Sequence, residues 1–144
     1  MKDYENILVA LDISNEAKTV LHRAISIADK YNSQITLIHV IEPIVVDASV
    51  DLIPTFNIDI ENSLVERAEN YLSELSAENS LENAEKQVLI GSTKHEIHSA
   101  AKERNIDLIV MGTHGRHGVA RLLGSTASAV LHGAPCDVLT VKIT

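Results

Sequence analysis

A single cysteine, Cys136, rules out an internal disulfide and fits a reducing compartment. Basic side chains are scarce too: 12 Lys and Arg stand against 20 Asp and Glu, for a formal net charge of −8. Nucleic-acid binders need a basic footprint, so that class is disfavoured. No apolar stretch approaches the roughly 18 residues of a membrane span. The opening MKDYENILVALD has too short an apolar run for a signal peptide. Neither GxxxxGK[ST] nor GxGxxG occurs, which argues against a standard P-loop enzyme and a standard dinucleotide fold. GxSxG and HExxH are missing as well, and no catalytic constellation emerges. What is present suits one soluble, cytoplasmic domain over residues 1–144, with 45% hydrophobic residues to build its core.

Five short apolar runs mark strands: ILVAL (7–11), ITLIHVI (35–41), QVLI (87–90), DLIVM (107–111) and VLTVKI (138–143). The first and fourth are nearly continuous, as in strands buried on both faces. Between them, apolar residues recur at three and four. Ala17, Val20, Leu21, Ala24, Ile25 and Ala28 predict a helix over 15–31, with Ser14 as its cap and Asn32 as its end. Ile60, Leu64, Ala68, Tyr71, Leu72 and Leu75 predict another over 59–76. Thr93 and Glu96 have capping-box spacing before a helix over 94–104. A last helix over 125–132 is stopped by Gly133 and Pro135. The segment 42–58 fits neither period well and reads as a long loop with room for a helical turn; 76–84 reads as a plain surface connection.

Strands alternating with helices predict an α/β fold: an open five-stranded parallel sheet of order 3-2-1-4-5, with helices on both faces. The fifth strand is then an open edge that wants a partner or a guard. Ligands of such sheets bind beyond the carboxyl ends of the strands, where the strand order reverses. That point lies between the end of the first strand, at Asp12, and the end of the fourth, at Gly112.

The segment after the fourth strand, GTHGRHGVARLLGST (112–126), spends four glycines in 112–124. No Asp or Glu occurs between Leu108 and Cys136, while Arg116 and Arg121 offer attraction to phosphate. Gly112 and Gly115 let the backbone approach a ligand closely, and amides bared in such a turn form an anion nest. Gly124 precedes Ser125 and Thr126 at the start of a helix, where the first amides lack internal partners. The simpler reading makes these glycines turn residues only. Asp12 either caps the following helix or bonds a nucleotide's base or ribose. His39 reads as a packed, hydrogen-bonded histidine, His95 and His98 as surface residues, His114 and His117 as loop residues facing solvent, and Cys136 as structural.

These runs are similar to the universal stress protein family over essentially the whole chain. ILVALD (7–12) resembles its opening strand and acid, ITLIHVIEP (35–43) its second strand, and DLIVMGTHGRHGVARLLGSTASAVLHGAPCDVLTVK (107–142) its C-terminal signature. The resemblance implies the open α/β sheet of the adenine nucleotide alpha hydrolase-like, Rossmann-like kind. Many members of the family bind ATP and others do not; the binding branch carries a pattern close to G-x2-G-x9-G-[S/T]. By resemblance, Gly112, Gly115, Gly124 and Ser125 match that pattern, with Arg116 beside it. Asp12 matches the adenine-side acid, Val40 the residue whose backbone meets the base, and Thr126 a further phosphate contact. One departure stands out: eight residues, 116–123, separate Gly115 from Gly124, instead of nine. The resemblance implies an ATP-binding stress-response regulator or sensor with little or no turnover, with magnesium as a possible companion of the nucleotide. It implies a homodimer through 138–143, with the protein partner unknown. A nucleotide-independent, chaperone-like module and a weak ATPase are the competing readings.

Overall fold

The computed structural model describes residues 3–43, 54–113 and 124–143, with the side chains of 54–57 excepted. Strands form where the apolar runs stand: β1 (Asn6–Ala10), β2 (Gln34–Ile41), β3 (Glu85–Ile90), β4 (Leu108–Gly112) and β5 (Asp137–Val141). Helices α1 (Ala17–Tyr31), α2 (Pro54–Glu78), α3 (Thr93–Glu103) and α4 (Ser125–Leu131) alternate with them. The five strands pair in parallel in the order β3-β2-β1-β4-β5. The expected order therefore holds, and β5 lies at one edge.

β1 shows why its run is continuous. Ile7, Leu8 and Val9 are all 0% exposed. Successive side chains of a strand point to opposite faces. Ile7 and Val9 accordingly join Leu37 and Val110 in a core that includes Ala24 of α1 and Leu72 of α2. Leu8 joins Ile38 and Ile109 in a second core with Ile97 of α3 and Val130 of α4. Helices on both faces leave neither face for polar residues, so the alternation disappears.

The helix ends depart from the local signals in three places. Ser14 does not cap α1; Glu16 stands at the cap without a side-chain bond, and the Ser14 hydroxyl is spent on Asp12 at 2.7 Å. Thr93 is the first residue inside α3 and not its cap, so no capping box forms with Glu96. Helix α2 starts at Pro54, inside the segment read as loop, and runs to Glu78. Proline is well suited to a first helical turn, because its missing N–H would be unpaired there anyway. Ser76, expected in a surface connection, is 1% exposed and donates its hydroxyl to the Ser73 carbonyl. The stops conform better. Asn32 closes α1 in the left-handed region at φ 54°, its amide bonded to Ala28 O, and Gly133 turns the chain after α4 at φ +75°.

Candidate functional site at the strand-order reversal

A pocket of about 190 Å³ opens at the carboxyl ends of β1, β2 and β4. Asp12, Val40, Gly112 and Thr126 all line it. Four of the eight expected site residues thus converge, three from β2, β4 and α4 and Asp12 from the connection after β1. Gly124 and Ser125 stand just before Thr126 but are not part of the lining. Gly115 and Arg116 lie outside the described residues, as do Arg121, His114 and His117. The pocket floor is apolar, with Ile38, Ile97, Met111 and Ala127. Gly112 is the last residue of β4 and, unlike Gly91 and Gly133, has no positive φ. It ends the strand beside the pocket without the left-handed turn that glycine alone makes cheaply.

The central feature is backbone left open at Val40. In a parallel pair, one residue's N–H and C=O both face the same neighbouring strand, and the next residue's face the other. Ile38 faces β1, since Leu11 N–H donates to its carbonyl at 2.9 Å. Ile41 faces β3, since Gly91 N–H donates to its carbonyl at 3.0 Å. Val40 therefore faces the β1 side. The chain leaves β1 after Ala10, and Leu11's carbonyl, the next acceptor in line, takes a bond from His39 Nδ1 at 2.7 Å. Among the described residues, none bonds to Val40's N–H or C=O on that side. An adjacent donor and acceptor consequently open on the crevice. His39 is the packed, hydrogen-bonded residue expected, but it also lines the pocket. Because a carbonyl only accepts, Nδ1 carries the proton.

Asp12 is held through Ser14, which α2 anchors in turn. Its Oδ1 accepts from Ser14 Oγ at 2.7 Å, and Tyr71 Oη of α2 donates to the Ser14 carbonyl at 2.9 Å. Burial pushes the Tyr71 hydroxyl above its ordinary pKa of 10.0, with the negative charges of Asp12 and Glu78 adding to the effect. On the far side, Thr113 ties together two backbone segments, the start of α4 and the end of β5. Its amide donates to Val141 O at 2.9 Å and its carbonyl accepts from Gly124 N–H at 2.7 Å. Its hydroxyl accepts from Ile143 N–H at 3.2 Å.

His98 differs from its expected surface role. Its Nε2 donates to Val130 O at 2.7 Å and ties α3 to α4. Among the described residues no group of three or more His, Cys, Asp or Glu could hold a metal ion. No helix there is long and apolar enough to cross a membrane. Sequence reasoning missed Thr93, Tyr71 and Thr113. Their partners lie 51, 57 and 30 residues away, respectively, so no local pattern marks them.

An open parallel sheet with a crevice at its strand-order reversal defines an α/β protein of the Rossmann-like class. Comparison with known proteins narrows this: the model of the universal stress protein family matches residues 3–142. Universal stress protein A homolog 1 of Coxiella burnetii is 38% identical over 138 residues, covering 96% of each chain. The solved structure of universal stress protein UspA from Lactobacillus plantarum is 30% identical, covers 98% of this chain and 99% of its own, and superposes with a TM-score of 0.78. The hypothetical protein MJ0577 is 26% identical with 99% of each chain covered, and its TM-score is 0.83. The chain belongs to the universal stress protein family.

Proposed function

We propose that the crevice binds an adenine nucleotide, ATP foremost, and that the protein works as a stress-response regulator or sensor with little or no turnover. The observation that carries this reading is Val40's open N–H and C=O beside the pocket. Adenine presents an acceptor at N1 next to a donor at its 6-amine, the complement of that pair. The volume of about 190 Å³ is below that of pockets enclosing whole drug-sized ligands, and suits one part of a ligand such as a base. Asp12 flanks the base or ribose. Gly112, Gly115, Gly124, Ser125 and Thr126 take the phosphate side, with Arg116 supplying charge, in the roles the family resemblance implies. A magnesium ion would arrive with the phosphates, since no cluster of side chains among the described residues builds a cage for it.

Phosphoryl transfer needs dedicated metal ligands and a positioned base. Asp12, hydrogen-bonded to Ser14, is the only expected site residue with a carboxylate, so slow hydrolysis is the most this set supports. The outer side of β5 is proposed to pair with a second copy, giving a homodimer through 138–143. A cytoplasmic location goes with this reading. Calorimetry with ATP, ADP, AMP and cyclic AMP tests the proposal, together with adenine absorbance released on denaturing freshly purified protein. Binding with micromolar or tighter affinity is expected. Folded protein that gives no heat with any of the four, and releases no nucleotide, rejects it in favour of a nucleotide-independent interaction module.

A further inference from the structure

Where β2 ends, a side chain from another element enters the pocket. The turn after β3 is pinned to β2 by the Gly91 amide on Ile41 O at 3.0 Å. Gly91 takes φ +154°, and a Cβ there would sit 2.6 Å from Glu96 Oε1, so the turn tolerates little change. It delivers Thr93, a pocket-lining residue, to Glu42. The Thr93 hydroxyl donates to Glu42 Oε1 at 2.9 Å, and its amide meets the same oxygen at 3.4 Å. A carboxylate can only accept, so the hydroxyl proton is committed to Glu42. What Thr93 Oγ1 retains is lone pairs. Glu42 is the first residue past the end of β2, two positions beyond Val40.

We propose that Thr93 is a specificity-determining residue that selects a 6-amino purine, with Glu42 as the positioning residue that keeps its hydroxyl an acceptor. The inference rests on the adenine-nucleotide reading above. A 6-amine has two N–H groups, and Val40's carbonyl takes one. Thr93 Oγ1 supplies the second acceptor. A 6-keto purine sets its carbonyl oxygen against two acceptors and turns its N1–H against Val40's N–H. A site built to bond a polar group discriminates strongly against the analogue lacking it, because buried partners are left unpaired.

The experiment is calorimetric titration of the full chain with ATP, inosine triphosphate, and the triphosphate of purine riboside, which lacks any 6-substituent. The wild-type protein is expected to bind ATP at least about tenfold more tightly than the purine riboside triphosphate, the scale of one to two hydrogen bonds. Thr93→Val keeps the shape and removes the lone pairs. It is expected to weaken ATP about five- to tenfold, leave the purine riboside triphosphate unchanged, and be rescued by Thr93→Ser. Glu42→Ala frees the hydroxyl to donate, and the ATP preference over inosine triphosphate should shrink several-fold; this variant carries the test if Thr93→Val does not fold. Equal weakening of both nucleotides in Thr93→Val, or none, overturns the role of Thr93 while the adenine reading stands. If Thr93→Val does not fold, an unchanged preference in Glu42→Ala overturns the proposal. A wild-type protein that binds none of the three overturns both.

Discussion

Proline at position 40 separates binding from folding in a way few substitutions can. Val40's N–H faces the crevice and no described residue accepts from it, so a proline there removes no ladder bond. His39 before it is already in a strand, the conformation that a pre-proline residue prefers. Relative to Val40→Ala, which accounts for the lost side chain, Val40→Pro should cost no more than about 1–1.5 kcal/mol, chiefly from bending φ toward −65°. Ile41 is the control. Its carbonyl accepts from Gly91, so its N–H belongs to the β3 ladder. Ile41→Pro relative to Ile41→Ala should cost about 3 kcal/mol, from the lost bond, the orphaned acceptor and the ring's clash. Urea denaturation measures both. For nucleotide, Val40→Pro removes the donor to N1 and puts a ring carbon in its place, so ATP affinity should fall at least tenfold, about 1.4 kcal/mol. Equal destabilisation at the two positions would show that Val40's N–H is held in the sheet. Unchanged ATP affinity would show that the base is not read there. Either result refutes the reasoning.

Three further outcomes are expected. Tyr71's pKa lies above its unfolded value of 10.0 because burial, then Asp12 and Glu78, disfavour the phenolate. Its contribution to stability is thus complete below pH 10 and lost as pH rises through the folded value; Tyr71→Phe should flatten the fall in melting temperature as pH rises above 10.0, and parallel curves would count against it. Gly133→Ala should cost about 1–2 kcal/mol in a denaturant titration, because φ is +75° while nothing within 4 Å obstructs the new Cβ; a neutral result would mean that the turn relaxes. Val141's carbonyl faces β4, accepting from Thr113, so Thr140's N–H points off the open edge; Thr140→Pro should leave the fold intact and convert a dimer to a monomer in sedimentation, and a surviving dimer would place the interface elsewhere.

The sheet was legible because its signals are local. Ile7, Leu8 and Val9 are apolar in succession only because both faces are covered, and that shows in five letters. The helix stripes were legible for the same reason, as Val20, Leu21 and Ala24 show in α1. What misled was local grammar serving distant partners. Ser14 looks like a cap but bonds Asp12. Thr93 looks like part of a capping box but answers to Glu42, just past the end of β2. Pro54 looks like a loop marker but opens α2. At the site, Asp12 and Gly112 followed from topology, since strand ends beside a reversal are predictable once the order is known. Val40 came through the family resemblance, and its physical reason, a strand that outruns its neighbour, needed the register. Tyr71's hold on the Asp12 loop joins α2 to a segment 57 residues away, and no spacing rule reaches that far.

The Thr113 carbonyl bonded to Gly124 N–H at 2.7 Å bears on the motif that is one residue short. That bond ties the two ends of the 114–123 stretch together at its base, like the knot of a purse. Whatever number of residues the purse holds, α4 is hung from the knot and from β4. The start of α4 is thus set by the Thr113–Gly124 bond, and a change in the number of residues between them leaves that anchor in place.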